Sequence, residues 1–229
     1  MKVVSFSLFG SDPLYTVGAI RNSELMPIIY PEWSMWVYHD NTVPIEVLET
    51  LQNNNVKLIK LDGQGFYRSM WRFYPCGDNT IEHFISRDAD SRISFRDRES
   101  VYEWIESEKD FHIVRDHPVG HSWVINAGMW GSKGGVINIE KMIKEYVNNP
   151  HNKFVDQIFL RDKIYPLTKE SRLVHDEYFN YEGDCYKIKR DRKIDDFAFI
   201  GESIGVDDES RYTTTPGDQR KTIIDIYEN

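Results

Sequence analysis

Short apolar runs alternate along the chain with segments whose apolar residues recur every three or four positions. The short runs predict strands and the amphipathic segments predict helices. Strands are expected over residues 2–9, 33–40, 56–61, 81–86, 111–116, 122–131 and 171–176. Helices are expected over residues 13–26, 44–54, 67–75, 95–107, 137–149 and 153–164. This alternation is typical of an α/β protein with a mostly parallel, Rossmann-like central sheet flanked by helices.

Local residues support some of these boundaries, and the pattern changes towards the end of the chain. Asp12 followed by Pro13 is typical of a helix start, because Asp caps free backbone N–H groups and Pro fits the first turn. After residue 185 the alternation weakens, and residues 206–222 are polar and rich in turn-forming residues. We therefore expect one domain over residues 1–185 and a partly mobile extension over 186–229.

Composition narrows the class of protein. The 229 residues are 40% hydrophobic, which is enough for a folded core, and 37 acidic residues outweigh 28 basic ones to give a formal net charge of −9. Nucleic acid is not expected as a partner, because binding it requires a basic face. Two cysteines, Cys76 and Cys185, and no apolar stretch of membrane-spanning length indicate a reducing, cytoplasmic location.

Several predicted strands end in polar or charged residues, in the stretches "YHD", "SRDAD", "VRDH" and "VHD". In a parallel α/β sheet the carboxyl ends of the strands share one edge, and ligands bind in the crevice there. We therefore expect this edge to bring together Asp88, Asp90, Asp116, His117 and His175.

Asp88 and Asp90 flank the small residue Ala89 after the fourth strand. Their side chains point the same way in an extended chain, so the carboxylates repel and one pKa should rise. A divalent cation neutralises both, and Mg²⁺ or Mn²⁺ prefers one or two carboxylates together with substrate phosphate oxygens. The alternative is a purely structural loop in which Asp90 or Ser94 caps the following helix.

The stretches "ISRDADSRIS", "FHIVRDHP" and "INAGMWGSKGG" together resemble GT-A glycosyltransferases, which bind nucleotide sugars through a metal at a D-x-D motif. The likeness is greatest to small domains of bacteria and large DNA viruses, and it covers about residues 1–180. It implies a metal-dependent enzyme that moves a sugar from a nucleoside-diphosphate sugar, with a UDP-sugar expected, to a glycan or other hydroxyl acceptor. Asp88 and Asp90 would hold Mn²⁺ or Mg²⁺.

A more distant resemblance links "INAGMW" and "FVDQIFL" to the FNxG and DQD elements of glycogenin-like retaining transferases. It implies a donor-sugar pocket shaped by Asn126, Ala127 and Gly128, with Asp156 bonded to sugar hydroxyls and Gln157 near the anomeric carbon. Ile158 replaces the third acid of that element. The same family uses a late histidine as third metal ligand, and His175 is the candidate here.

The GT-A resemblance also places the nucleoside against the end of the first strand. It implies nucleotide contacts from Asp88 and from Ser7, Leu8, Phe9, Gly10 and Tyr15. Arginine presents a planar fork of donors suited to a base or a diphosphate. Among the arginines near these segments we assign Arg72 and Arg87 to the nucleotide and expect Arg68 on a solvated helix face.

The acceptor side is less constrained by the sequence. Asp116 is a candidate to bind the donor sugar or to deprotonate the acceptor hydroxyl, His117 to contact the acceptor, and Trp130 to form a sugar platform beside the glycines. Asp116 or Asp156 would serve as the base of an inverting enzyme, whereas Gln157 fits a retaining one. Retention is weakly favoured and the sequence leaves both open.

Two other classes compete with a glycosyltransferase. A sugar-nucleotidyltransferase or another metal-dependent nucleotide enzyme also uses carboxylates, but the first-strand turn "LFGSDPLY" lacks the Gly-rich basic loop of the nucleotidyltransferases. A non-enzymatic glycan-binding domain would not require the D-x-D pair.

Overall fold

A seven-stranded sheet forms the centre of the molecule, which a computed structural model describes over residues 1–146, 149–188 and 199–211. The strand order is β3-β2-β1-β4-β6-β5-β7. β6 runs antiparallel to β4 and β5, and the other neighbours are parallel. The α/β, Rossmann-like prediction is confirmed. The strands are β1 Lys2–Leu8, β2 Trp33–His39, β3 Lys57–Lys60, β4 His83–Ser86, β5 Phe111–Arg115, β6 Trp130–Lys133 and β7 Arg172–Asp176.

Helices cover both faces of this sheet. The α-helices are α1 Pro13–Ile29, α2 Ile45–Asn53, α3 Phe95–Glu106, α4 Ile139–Glu145 and α5 Val155–Phe159. A long 3₁₀ segment spans Gly65–Gly77, and π and 3₁₀ turns at Leu160–Ile164 and Tyr165–Thr168 follow α5. One core cluster joins α1, α2 and α3 to the sheet, and a second joins it to the 3₁₀ segment, α4 and α5. Among the described residues no helix combines the length and apolarity needed to cross a membrane.

Two predicted elements differ from the structure. The strand expected at residues 122–131 begins only at Trp130, because residues 122–129 form an irregular loop that turns through a bond from Met129 N to Asn126 O at 3.0 Å. The helix expected at 153–164 is an α-helix only over Val155–Phe159. Because this loop is not part of the sheet, the backbone N–H of Ala127 makes no hydrogen bond between strands and can donate to a side chain instead.

Three loops meet at one edge because of the strand register. β1 and β4 are parallel neighbours, with Ser5 opposite Ser86, so the chain leaving β4 starts beside the end of β1. β6 runs the other way and pairs Trp130 with Ser86, so residues 122–129 open on the same edge. The segment 199–211 also lies here, through a bridge between Ser91 and Ser203. Residues 189–198 and 212–229 of the predicted extension lie outside the described residues.

Candidate functional site

The centre of this edge is the guanidinium group of Arg72, which is 6% exposed. Its Nη1 donates to a carboxylate oxygen of Asp88 and to the carbonyl of Arg87 at 3.2 Å. Its Nη2 donates to Asp156 Oδ2 at 3.0 Å. The 3₁₀ segment positions Arg72 against β1, because Ser7 Oγ accepts the backbone N–H of Arg72 at 3.0 Å. One buried cation therefore joins the loop after β4 to the start of α5.

The D-x-D aspartates differ in their surroundings. The side chain of Asp88 is 40% exposed and paired with Arg72. Burial raises the pKa of Asp90, and the nearby Asp88 carboxylate raises it further. Asp90 Oδ2 accepts a hydrogen bond from Ser203 Oγ at 2.8 Å. Asp90 does not cap α3, since Ser94 Oγ accepts the N–H of Asp97 at 3.1 Å.

This pair of carboxylates fits a divalent cation. Burial and the Asp88 charge together raise the pKa of Asp90 more than Ser203 and Arg72 lower it. Space beside the pair is preserved by Gly128, where an added Cβ would lie 2.0 Å from Asp88 Oδ2. Carboxylate oxygens are hard donors that suit Mg²⁺ or Mn²⁺, and the exposed part of Asp88 is accessible to an ion that also binds substrate oxygens.

Tyr15 lies within electrostatic range of the same aspartates. Burial raises the pKa of the Tyr15 phenol, and Asp90, Asp12 and Asp88 raise it further, in that order. The ring is 42% exposed at the first turns of α1. An exposed ring beside the two acids is positioned to contact a ligand bound there.

The irregular loop 122–129 and the start of α5 are joined by one hydrogen bond. Ala127 N donates to Gln157 Oε1 at 2.8 Å, and Ser86 Oγ donates to Ala127 O at 2.7 Å. The side-chain oxygen of Asn126 is buried and has no hydrogen-bond donor among the described residues, which marks a polar atom whose partner is missing. The structure thus brings the predicted sugar-pocket loop next to Gln157.

Asp156 is nearly buried beside Arg72. Burial raises the pKa of its carboxyl group, the Arg72 charge opposes that rise, and Asp88 adds to it. Its Oδ1 accepts the backbone N–H of Gln157 at 2.8 Å. Asp88 and Asp156 therefore share one arginine from opposite sides.

Sequence reasoning gave no role to a group at the end of β2. Asp40, 4% exposed, accepts Arg68 Nη1 on Oδ2 at 2.6 Å and the backbone N–H of Thr42 on Oδ1 at 2.9 Å. The Arg68 guanidinium lies 4.3 Å from the centroid of the Phe9 ring. The stretch "YHD" could have indicated this group, since it ends a strand at the ligand edge. Arg68 contacts Asp40 and Phe9, so it does not lie on the solvated helix face that was expected.

A second group that the sequence did not indicate comes from the segment 199–211. Besides the Ser203 hydroxyl on Asp90, the backbone N–H of Ile204 donates to Asp90 O at 2.8 Å. Arg92 Nη2 donates to Gly205 O at 3.3 Å and to Asp208 at 3.2 Å. No local pattern places residues more than a hundred positions away on the D-x-D loop.

Arg87 is a structural residue, contrary to the expectation that it binds nucleotide. Its Nε and Nη2 bind the two oxygens of Asp97 at 3.0 and 2.6 Å, and its Nη1 donates to Ser86 O at 2.7 Å. The two side chains are 2% and 1% exposed. Adjacent residues in an extended chain point to opposite faces, so Arg87 faces α3 while Asp88 faces the edge.

Asp116 and His117 are fully buried, so neither reaches an acceptor in this conformation. One Asp116 oxygen accepts from Arg96, and the other accepts the N–H of Ile200 at 2.9 Å. The His117 ring packs on Phe199, with centroids 4.2 Å apart. The segment 199–211 covers both residues, which corrects their assignment to the exposed part of the site.

His175 lies apart from the aspartates, so the assignment as third metal ligand is wrong in this structure. It belongs to β7, three strands from β4. Its Nδ1 is 2.8 Å from His112 Nε2, and its Nε2 is 3.2 Å from Glu103 Oε2. Within the described chain, His175 does not join Asp88 and Asp90 in any group of ligand atoms lying within 4.8 Å of one another.

Trp130 and Leu8 belong to the core. Trp130 has no exposed surface and packs edge-on against Phe73 and Phe84, with centroids 5.4 and 5.1 Å apart. It cannot be the sugar platform that its neighbouring glycines suggested. Leu8 is 1% exposed, so among the residues at the end of β1 that were assigned to the nucleotide, Ser7, Phe9 and Gly10 are the ones at least partly exposed.

Comparisons with solved structures agree with this architecture. Residues 1–349 of TarS from S. aureus match with a TM-score of 0.51 and 12% identity over 77% of this chain, and their complex with UDP matches with 0.52 and 10% over 77%. The mannosyltransferase PcManGT from Pyrobaculum calidifontis, in complex with GDP-Man and Mn²⁺, matches with 0.50 and 10% over 77%. No family model matches the chain, and no curated protein matches it in sequence.

At identities of 10–12% these matches establish the fold, which is that of the GT-A glycosyltransferases. The chain spans 58% of the length of the TarS structures and 55% of the mannosyltransferase. The expected resemblance to GT-A glycosyltransferases is therefore confirmed at the level of fold.

Proposed function

We propose that this protein is a metal-dependent glycosyltransferase that uses a nucleoside-diphosphate sugar, with a UDP-sugar as donor. The observation that carries the proposal is the arrangement around Arg72, which links Asp88 of the D-x-D loop to Asp156 of α5 at the carboxyl edge of the sheet. Nucleotide ligands of α/β sheets bind at this edge. The UDP in the TarS complex and the GDP-Man in the mannosyltransferase complex support a nucleotide sugar on this fold.

The nucleoside would lie between β1 and β2. Phe9 is partly exposed with Arg68 stacked on its ring, and the Arg68 guanidinium, held by Asp40 and 21% exposed, offers donors for the edge of a base. Gly10, with φ of 78°, lets the chain turn away from β1 without a side chain in the way. Its N–H donates to Thr42 Oγ1 at 2.6 Å, which ties the two strand ends together.

Asp88 and Asp90 would hold the metal ion, and Arg72 would lie beside the diphosphate. A bound Mg²⁺ or Mn²⁺ supplies positive charge that stabilises the departing diphosphate. Arg72 adds a fixed cation that is already desolvated, so it needs no reorganisation when negative charge develops on the leaving group. Burial lowers the pKa of Arg72, but the Asp88 and Asp156 carboxylates outweigh burial and hold that pKa above the usual value, so Arg72 stays charged.

We include retention of the anomeric configuration in the proposal. An inverting enzyme needs a carboxylate base open to the acceptor hydroxyl. Asp116 is buried and paired with Arg96, while Asp156 is 8% exposed and shares Arg72 with Asp88. Neither offers an open base. The coupling constant of the anomeric proton in the product, measured by NMR, distinguishes the two outcomes.

The test of the function is calorimetric titration of UDP and GDP, with and without Mn²⁺, into three proteins. Wild type and the control Asp184→Asn, which changes an exposed acid, should bind UDP when Mn²⁺ is present. Asp90→Asn should weaken that binding at least tenfold, or about 1.4 kcal/mol. Absence of nucleotide binding by wild type under every condition would contradict the proposal and leave a non-enzymatic domain on this fold.

A further inference from the structure

An exposed pair of aromatic rings borders the proposed transfer site. Trp123 lies in the loop that carries Asn126 and Ala127, and Phe154 immediately precedes α5, which carries Asp156 and Gln157. The hydrogen bond from Ala127 N to Gln157 Oε1 joins these two segments. The ring centroids are 6.3 Å apart and the planes differ by 31°, so the rings form one shallow wall.

This wall is accessible to solvent. Phe154 is 45% exposed and Trp123 is partly exposed, whereas Trp71, Trp104 and Trp130 are buried. Leaving large rings in water forfeits the free energy that covering them would provide, about 25 cal/mol per Å². Carbohydrates cover aromatic rings well, because the C–H face of a pyranose ring is apolar while its rim carries hydroxyl groups.

Cations lie over both rings. Lys153 Nζ is 4.9 Å from the Phe154 centroid, and the Arg161 guanidinium is 5.5 Å from the Trp123 centroid. Arg161 also pairs with Asp162, whereas Lys153 and the exposed Lys163 are in no ion pair recorded among the described residues. The exposed charges of Lys153, Arg161, Asp162 and Lys163 therefore give this part of the surface a net positive charge, although the chain as a whole has a net charge of −9.

We propose that Trp123 and Phe154 form the acceptor subsite, and that it binds a carbohydrate carrying a negatively charged group. The inference rests on the proposed function for its location, since the wall matters as an acceptor site only if a donor sugar lies by Gln157. The rings would stack on the sugar, and Lys153 would contact its acidic group. The sugar platform is then Trp123, which solvent reaches, rather than the buried Trp130.

The experiment measures binding of two matched probes, p-nitrophenyl β-D-glucuronide and p-nitrophenyl β-D-glucoside, which differ by one carboxylate. Ligand-observed NMR titrations use full-length protein with UDP and the diamagnetic ion Mg²⁺ present. Wild type should prefer the glucuronide, and added salt should reduce that preference. Phe154→Ala and Trp123→Ala should each weaken both probes at least tenfold, while Lys153→Gln should remove the preference and leave glucoside binding unchanged.

Tyr186→Ala is the matched control, because it removes a ring that is 49% exposed elsewhere on the molecule. It should leave both probes unaffected. The subsite would be overturned if Phe154→Ala bound each probe as tightly as wild type does. It would also be overturned if wild type bound neither probe. UDP affinity measured in the same samples separates this from failure of the proposed function, because loss of the subsite leaves nucleotide binding intact.

Discussion

Replacing Arg87 with methionine tests whether the buried ion pair behind the D-x-D loop is structural. Arg87 and Asp97 are 2% and 1% exposed and meet through two hydrogen bonds of 2.6 and 3.0 Å. Arg87→Met removes the cation and leaves the Asp97 carboxylate in the core. Breaking a buried pair by removing one partner costs about 3–5 kcal/mol, because the remaining charge is uncompensated.

A loss of that size is measurable by melting. For a chain of this length about 1 kcal/mol shifts Tm by about 2–4 °C, so Arg87→Met should lower Tm by about 6–20 °C. The double variant Arg87→Met/Asp97→Leu removes both charges and should recover much of the loss, since apolar replacement of a whole buried pair is often neutral. Differential scanning calorimetry of the two single variants and the double variant gives the coupling energy.

The matched control is the exposed pair Arg161 and Asp162, whose side chains are 47% and 43% exposed. Arg161→Met should cost less than about 1 kcal/mol, because solvent screens surface ion pairs. Additive losses in the Arg87 and Asp97 variants would refute the reasoning. So would a folded Arg87→Met protein with unchanged Tm and a tenfold weaker affinity for UDP, since that result would return Arg87 to the nucleotide site.

Three further predictions follow from individual positions. Gly128→Ala should abolish Mn²⁺-dependent UDP binding in calorimetry, because the new Cβ, 2.0 Å from Asp88 Oδ2, displaces the carboxylate that pairs with Arg72; unchanged binding would contradict this. Trp130→Ala should lower the free energy of unfolding, measured in urea, by about 3–5 kcal/mol. If Trp130→Ala lost less stability than the exposed-ring variant Phe154→Ala, a core role for Trp130 would be wrong. Burial lowers the pKa of His117 to about 4 and of His121 to about 3. The native state therefore binds fewer protons than the unfolded state, and stability should fall by about 1.4 kcal/mol per pH unit for each histidine as pH drops from 6.5 towards 4, with a smaller slope in His121→Asn.

The sequence predicted the sheet and the place of the D-x-D pair because both depend on local regularities. Strand periodicity located β1, β2 and β4, and parallel order put the loop after β4 at the ligand edge. In an extended chain, adjacent side chains point to opposite faces. This alternation already indicated that Arg87 points away from the face of Asp88, towards the helix that follows.

Other errors had no remedy in the sequence. Asp116 follows a strand at the ligand edge as Asp88 does, yet it is covered because Ile200, 84 positions away, donates to it. His175 also follows the strand-end pattern, but β7 lies at the far edge of the sheet and the imidazole turns to His112 and Glu103. Which strand end faces the ligand and which is covered depends on strand order and on a distant segment, and neither is encoded locally.

The repulsion between Asp88 and Asp90 is relieved by two very different partners. Arg72 comes from the 3₁₀ segment just before β4 and neutralises Asp88, while Ser203 comes from 113 positions after Asp90 and contributes only a neutral hydroxyl. Burial and the Asp88 charge raise the pKa of Asp90, and a neutral hydroxyl offsets them less than a full charge would, so the pKa stays raised. The remaining electrostatic cost is concentrated on Asp90, where a bound cation would lower the free energy most. Nucleotide binding should therefore depend on metal more strongly through Asp90 than through Asp88, which already has Arg72.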